Sequence, residues 1–272
     1  MTIESLSELI AWQPAKQNEI ISDGLLLPQT SMIMFGGAKA WKSMLALHTG
    51  YCIAEGKPWF GFNTTKCTVF KYQVELPKAV DRKRVIKYMN SRRPSNYFFK
   101  TAPYSKIDTG YGKQALERDL VTVQSRRPDT HIVLILDPVY LLITGHISDD
   151  YDIKRLLDNL NEVKAKHDVT TILIHHTHKT RVDSSGEVID LGSEEIMGSS
   201  YFNNYADTMV RVKLLNPYTA KNKVKISFEL TRHAESLLPT LEVDWSRRDL
   251  RPTIIAKETP SEDDISIRGL AE

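Results

Sequence analysis

The sequence has few of the residues that mark extracellular, metal-binding or membrane proteins. Its 272 residues include two cysteines, Cys52 and Cys67, whose number and spacing argue against a disulfide framework and a cysteine metal site. No run approaches the roughly 18 apolar residues that a membrane span requires. The first 20 residues contain early acids and lack the apolar stretch of a secretory signal. We therefore expect a reduced, soluble, cytoplasmic protein without membrane contact.

The sequence also lacks a strong excess of charge of one sign. Its 36 basic and 34 acidic residues leave a formal net charge of +2. A protein that coats nucleic acid is usually more basic, so contact with nucleic acid would have to come from local patches. The chain length suits one sizeable core but hardly two large domains. We predict one domain over residues 1–255, including a lead-in over residues 1–28, and a flexible tail over residues 256–272.

Apolar strands alternate with helices along the chain. Strands are predicted at 31–35, 68–74, 131–136 and 170–174, and the longer helices at 43–54, 79–89, 114–125 and 152–167. This alternation indicates a mostly parallel sheet that is covered on both faces. More polar strands at 208–214, 223–230 and 240–245 predict antiparallel additions at one edge. Residues 91–103 have the composition of a linker.

A glycine-rich loop, FGGAKAWKSM, joins the first apolar strand to the first long helix. Its candidate phosphate-binding residues are Gly36, Gly37, Ala38, Lys39, Ala40, Trp41, Lys42, Ser43 and Met44. Backbone N–H groups of such a loop converge on phosphate oxygens, and the helix N-terminus adds about half a positive charge. The lysine would reach the β- and γ-phosphates, and the serine hydroxyl would hold Mg²⁺. The sequence therefore predicts a site for a nucleoside triphosphate with Mg²⁺.

Trp41 departs from the usual form of this loop, in which a glycine precedes the lysine. Glycine is favoured at that position because the backbone is tightly curved and crowded by phosphate. We expect the indole to cap the loop or to stack near the nucleotide. The alternative to a phosphate site is an accidental glycine-rich turn before a helix, but the strand, the loop, the Lys-Ser pair and the helix all favour the phosphate site.

Two carboxylates follow neighbouring strands of the predicted sheet. Asp137 comes directly after the apolar run VLIL, where a Mg²⁺-binding carboxylate is expected; its alternative role is a turn residue before a proline. No second acid follows it, so the group that deprotonates the attacking water must come from elsewhere. Glu75 follows the strand VFKYQV and is the best candidate, because ligands lie at the carboxyl ends of such strands. Its alternative role is that of an acid in the first turn of a helix.

Together these motifs resemble the RecA-like P-loop ATPases, in particular the RepA-type hexameric replicative helicases and their phage relatives. The matching segments, from Met34 to about Pro239, are GGAKAWKSMLAL, YQVELP, LILDP, ILIHHTHK, IMGSSYFNNYADTMVRV and FELTRH. The resemblance implies an α/β RecA-like core, with a mostly parallel central sheet flanked by helices and antiparallel strands at one edge. It implies ATP and Mg²⁺ as cofactors and assigns Glu75 as the catalytic base.

The resemblance also gives roles to later residues. His175 or His176, in the HHTHK segment, would sense the γ-phosphate. A metal site and a plain polar strand end are the alternatives for the clustered histidines; adjacent residues of a strand point to opposite faces, which disfavours a metal site. Arg232 would reach across to the γ-phosphate bound by a neighbouring subunit. Arg211 and Lys225 are second choices for that role, and each of these cations could instead be a solvated residue at a strand edge.

The partners implied by the resemblance are single-stranded DNA, further copies of this chain in a hexameric ring, and a primase or an initiator protein. The candidate DNA-facing loop covers residues 179–198, although it is acidic further along, which disfavours phosphate contact. The other candidate is a basic helix that could also be merely solvated. Its cations are Lys78, Arg82, Lys83, Arg84 and Lys87. Three functions stay open: a helicase motor, a recombination or repair ATPase that does not unwind DNA, and a nucleotide-binding regulatory or assembly protein.

Overall fold

A single mixed sheet runs through the chain in the computed structural model, which describes residues 3–12, 19–101, 105–147, 149–177, 201–216 and 218–259. The strands are β1 (Ser31–Gly36), β2 (Thr68–Gln73), β3 (Tyr97–Thr101), β4 (Ile132–Asp137), β5 (Val169–His176), β6 (Thr208–Asn216), β7 (Ala220–Thr231), β8 (Thr240–Trp245) and β9 (Pro252–Glu258). The helices are α1 (Leu6–Ala11), α2 (Lys42–Glu55), α3 (Lys78–Met89), α4 (Gly110–Arg126), α5 (Asp150–His167) and α6 (Tyr201–Tyr205).

The order of the strands across the sheet is β3-β2-β4-β5-β1-β6-β7-β8-β9. From β3 to β6 each strand is parallel to its neighbours, whereas β7, β8 and β9 are antiparallel additions. Every residue of β1, β2 and β4 is buried, because helices cover both faces of the parallel part. The predicted mostly parallel sheet with antiparallel strands at one edge is confirmed.

The core consists of two apolar layers, one on each face of the sheet. Helix α2 and residues 20–26 belong to one layer, which also contains the buried Trp59 and Trp245. Helices α4, α5 and α6 cover the other face. Helix α5 begins after Asp149, whose carboxylate accepts from two backbone N–H groups of the first turn. Its buried leucines and valine recur at helical spacing and face the sheet.

Two sequence expectations are corrected. Residues 91–103 contain β3, which pairs in parallel with β2, so the linker prediction is wrong for that segment; its aromatic residues are typical of a strand. Strand β9 continues the sheet to Glu258, past the predicted domain end at residue 255, and residues 260–272 lie outside the described residues. Within the predicted lead-in, Ile20 and Leu26 are part of the core, whereas α1 has no buried side chain.

No helix in the described ranges is long and apolar enough to cross a membrane.

Candidate functional site

Four neighbouring parallel strands, β2, β4, β5 and β1, have their carboxyl ends on the same side of the sheet. A pocket of about 510 Å³ opens there. It is lined by Ala38, Lys39, Ala40, Trp41, Lys42, Ser43, Met44, Glu75, Leu76, Arg84, Asp137, Ile174, His176 and Leu250. Parallel strands all end on the same side, so residues that are far apart in the sequence are brought together.

The glycine-rich loop leaves β1 in a very confined space. A Cβ atom added at Gly36 would lie 2.1 Å from the carbonyl oxygen of Val212 in β6, so only glycine fits there. The loop then turns into α2, whose first N–H groups have no acceptor within the helix. These groups and the positive end of the helix form a site suited to phosphate.

Lys42 is held inside the loop. Its Nζ donates to the carbonyl oxygens of Gly36, at 2.8 Å, and of Gly37, at 2.6 Å. Burial lowers the pKa of Lys42 to about 8, while the negative charges of Asp137 and Glu75 oppose that shift. The ammonium group therefore lies close to both candidate carboxylates, where a phosphate chain would bind.

Ser43 and Asp137 lie together, as predicted for Mg²⁺ ligands. The Ser43 hydroxyl donates to Oδ1 of Asp137 at 2.9 Å. Hydroxyl and carboxylate oxygens are the ligands that Mg²⁺ takes beside nucleotide phosphates. The residues present at the end of β4 therefore fit this ion.

Two buried polar residues of β2 hold the Asp137 carboxylate, and sequence reasoning missed both. Nζ of Lys71 lies 3.0 Å from Oδ2 of Asp137, and the two side chains are 3% and 1% exposed. Gln73 donates to the same oxygen at 3.1 Å through Nε2. Lys71 and Gln73 are two residues apart and so face the same side of the strand. That polar spacing in a strand otherwise made of core residues was the signal that could have identified them.

Glu75 is exposed, follows β2 by two residues and lines the pocket. Arg84 of α3 lines the same pocket, although the sequence placed it among the cations of a solvated or DNA-contacting helix face. At least one of those cations therefore faces the candidate phosphate site. Leu250, from the turn between β8 and β9, is a further lining residue that carries no recognisable sequence signal.

The two adjacent histidines point to opposite faces of β5. His176 lines the pocket, and its ring packs edge-on against Tyr140 at 5.3 Å. Burial lowers the pKa of His176, and the nearby Lys42 lowers it further. His175 is fully buried and packs against Phe202 of α6, with ring centroids 4.5 Å apart. The γ-phosphate role predicted for either histidine therefore fits His176 and not His175, because β5 turns the latter away. In the described ranges, no group of three potential metal ligands is present.

Trp41 fastens the glycine-rich loop to the antiparallel strands. Its backbone φ of 65° lies in the left-handed region that favours glycine. The indole stacks on Trp245 of β8, with centroids 5.4 Å apart and ring planes at 9°, and its Nε1 donates to the carbonyl oxygen of Lys221 at 2.8 Å. The indole thus caps the loop, which is one of the two arrangements expected from the sequence.

Arg232 lies away from the pocket of its own chain. Strand β6 is parallel to β1, and β7 runs antiparallel to β6. The carboxyl end of β7 therefore lies on the side of the sheet where β1 begins. The Arg232 guanidinium donates to the carbonyl oxygens of Ala206, at 2.9 Å, and Asn203, at 3.3 Å. Of the second choices, Arg211 is buried in β6, and Lys225 forms an ion pair with an acid of β9.

Lys71→Met should reduce the free energy of unfolding by about 3–5 kcal/mol, because it leaves the buried Asp137 carboxylate without its counter-charge. Urea unfolding measures the change, with Lys78→Met on the exposed side of α3 as the control. The double variant Lys71→Met/Asp137→Asn should be more stable than Lys71→Met alone. Equal stability of the single and double variants would contradict a buried ion pair.

Trp41→Gly should weaken binding of a fluorescent ATP analogue roughly tenfold, because the loop must then be ordered at a cost of about 1–2 kcal/mol per fixed residue. Trp41→Phe keeps a ring but not the N–H group. Its affinity for the analogue should lie between those of the wild type and Trp41→Gly. Trp12→Gly, at the exposed end of α1, is the control and should not alter affinity. Unchanged affinity in Trp41→Gly would show that the stack does not hold the loop.

Comparisons with known proteins identify the family of the chain and proteins of similar fold. A sequence model of a family described as an AAA domain matches residues 3–182, which is more than half of the chain. No curated protein sequence matches the chain.

Three solved structures have a similar fold at low sequence identity. A structure described as an ATPase domain has a TM-score of 0.64 at 12% identity, over 84% of this chain and 85% of that one. A DnaB-like replicative helicase, from a structure describing its interactions with primase, has a TM-score of 0.65 at 12% identity over 91% of this chain, which spans 66% of its length. A KaiC-like protein from the archaeon Pyrococcus horikoshii has a TM-score of 0.57 at 14% identity, over 89% and 100% of the two chains. The chain therefore belongs to the AAA-domain family, and its fold is that of a RecA-like P-loop ATPase.

Proposed function

We propose that this chain hydrolyses ATP to drive movement on single-stranded DNA, as the motor domain of a ring-forming replicative helicase. The observation that carries the proposal is the convergence of Lys42, Ser43, Asp137 and Glu75 on one pocket at the carboxyl ends of the parallel strands. These are the groups that ATP hydrolysis requires, and each comes from a different position in the sheet or the loop.

The proposed chemistry assigns one task to each group. The loop N–H groups and Lys42 bind the β- and γ-phosphates, and Ser43 and Asp137 hold Mg²⁺. Bound Mg²⁺ neutralises charge that develops on the phosphates. Glu75 accepts the proton of the attacking water, a contribution typically worth 10²–10⁴-fold in rate. His176, on the neighbouring strand β5, contacts the γ-phosphate and reports whether it is present.

The position of Arg232 supports a site completed by a second copy of the chain. Arg232 lies at the end of the sheet opposite the P-loop of its own chain. It therefore cannot reach a γ-phosphate that is bound by the same chain. In a ring it would act on the neighbour, after releasing the carbonyl groups of Asn203 and Ala206 to which it now donates. We therefore propose a homo-oligomer, a hexamer as the resemblance implies.

DNA and primase are proposed as partners because the fold is shared with a DnaB-like helicase from a structure of its interactions with primase. The candidate loop at residues 179–198 lies outside the described residues. The exposed cations of α3 remain the proposed DNA contact, with the exception of Arg84, which faces the nucleotide pocket. The alternative functions are a recombination or repair ATPase that does not unwind DNA and a nucleotide-binding regulatory or assembly protein.

ATP turnover with and without single-stranded DNA, measured together with mass by light scattering, tests the proposal. The wild-type protein should form a ring and turn over ATP faster when DNA is present. Lys42→Ala should abolish both binding and turnover, because it removes a phosphate contact. Glu75→Gln should lower turnover at least about 100-fold and leave ATP binding largely intact.

A monomer whose ATPase activity ignores DNA would contradict the helicase proposal. Strand displacement on a forked duplex then separates a helicase from an ATPase that only binds DNA. Stimulated turnover without displacement would favour a recombination or repair role.

His176→Ala should reduce kcat for ATP about tenfold or more, whereas His175→Ala should leave kcat within about twofold and lower the free energy of unfolding. The reason is geometric, since only the first of these adjacent side chains faces the pocket. Steady-state kinetics and urea unfolding on both variants provide the comparison. The reverse pattern would exclude His176 as the γ-phosphate contact.

A further inference from the structure

Gln73 is a buried polar residue to which the proposed hydrolysis assigns no task. It ends β2, is 1% exposed and is the register partner of Asp137 on β4. Its Nε2 donates to Oδ2 of Asp137 at 3.1 Å, and its Oε1 accepts from the backbone N–H of Glu75 at 3.0 Å. One side-chain amide therefore bridges the carboxylate proposed for Mg²⁺ and the backbone of the proposed base.

The chemistry of the two partners requires an amide at this position. An ionised carboxylate only accepts hydrogen bonds, and a backbone N–H group only donates them. A glutamine side chain has both a donor and an acceptor, so its orientation follows from its neighbours. A carboxylate or an apolar side chain of similar size could not make both bonds.

The bridge matters because Glu75 lies in the segment between the end of β2 and the start of α3. The N–H group of Val74 donates to the backbone carbonyl of Asp137 at 3.0 Å, and the chain then leaves the sheet. Glu75 itself is exposed, and α3 begins only at Lys78. The bond from Gln73 therefore holds the backbone of Glu75 at the point where the chain turns towards the pocket.

We propose that Gln73 is a positioning residue that couples the carboxylate of Asp137 to the placement of Glu75. A change in Asp137 when Mg²⁺ and nucleotide bind would move the amide and, through it, the backbone that carries the base. Lys71, on the same face of β2, contacts the same carboxylate oxygen but does not reach Glu75, so it supplies charge rather than this link. The expected effect of this coupling on the rate of ATP hydrolysis rests on the proposed ATPase function.

The kinetic test uses Gln73→Leu, which loses both bonds and adds no charge beside the Asp137 carboxylate. It should lower kcat about tenfold or more while the affinity for a non-hydrolysable ATP analogue with Mg²⁺ stays within about threefold. Gln124→Leu, at the opposite edge of the sheet, is the matched control and should behave as the wild type. Loss of nucleotide binding in parallel with kcat would overturn the positioning role.

A double-variant cycle separates positioning from simple support of the fold. If Gln73 acts through Glu75, adding Gln73→Leu to Glu75→Gln should not lower the remaining rate further, because the group being positioned is already gone. Multiplicative effects of the two substitutions would overturn the inference.

Hydrogen exchange at the amide of Glu75 tests the link without turnover. The wild-type protein should exchange this amide slowly, and its rate should change when Mg²⁺ and the analogue bind. In Gln73→Leu the amide should exchange faster and should no longer respond. An identical response in both proteins would refute the coupling. A wild-type protein that shows the response without hydrolysing ATP would refute the proposed function and leave the coupling standing.

Discussion

The structure depends on the compensation of one buried negative charge at the end of β4. An isolated carboxylate inside a protein is several kcal/mol or more unfavourable, and Asp137 is almost fully buried. Three groups offset this cost: the ammonium of Lys71, the amide of Gln73 and the hydroxyl of Ser43. They come from β2 and from the start of α2. Satisfying Asp137 therefore aligns two strands and brings the glycine-rich loop to its place beside them.

The same arrangement explains how the site is preorganised for phosphate. Lys42 donates to the loop's own carbonyl groups, which hold its charge at the binding position. The helix N-terminus supplies donors in addition. Several positively charged donors lie close together here. Neighbouring carboxylates and carbonyl oxygens share the compensation of this charge, so no single strained contact provides it.

Much of the fold follows from local patterns. Apolar runs with helices between them predict the parallel strands, because burial on both faces requires apolar residues at every position. The P-loop and Asp137 could be identified because their chemistry restricts the residue types. Strand β3 could not be identified so readily, since an edge strand is only half buried and its flanking residues resemble those of a loop. Sequence reasoning could not choose between His175 and His176 either, because the choice depends on which face of β5 the nucleotide occupies.

Long-range contacts account for the other residues that were missed. Lys71 has the appearance of a solvated cation until its strand is known to be buried, and Leu250 reaches the pocket only through the turn between β8 and β9. Such contacts arise from the whole topology, and no window of sequence contains both partners.

The stacked indoles of Trp41 and Trp245 have a consequence of a different kind. One ring belongs to the loop that would surround the phosphates, and the other to a strand that lies 204 positions later in the chain (245 − 41). Near-parallel rings at this distance interact electronically, so the near-ultraviolet circular dichroism and the emission of the pair depend on their mutual geometry. The molecule therefore contains a native optical probe beside its P-loop.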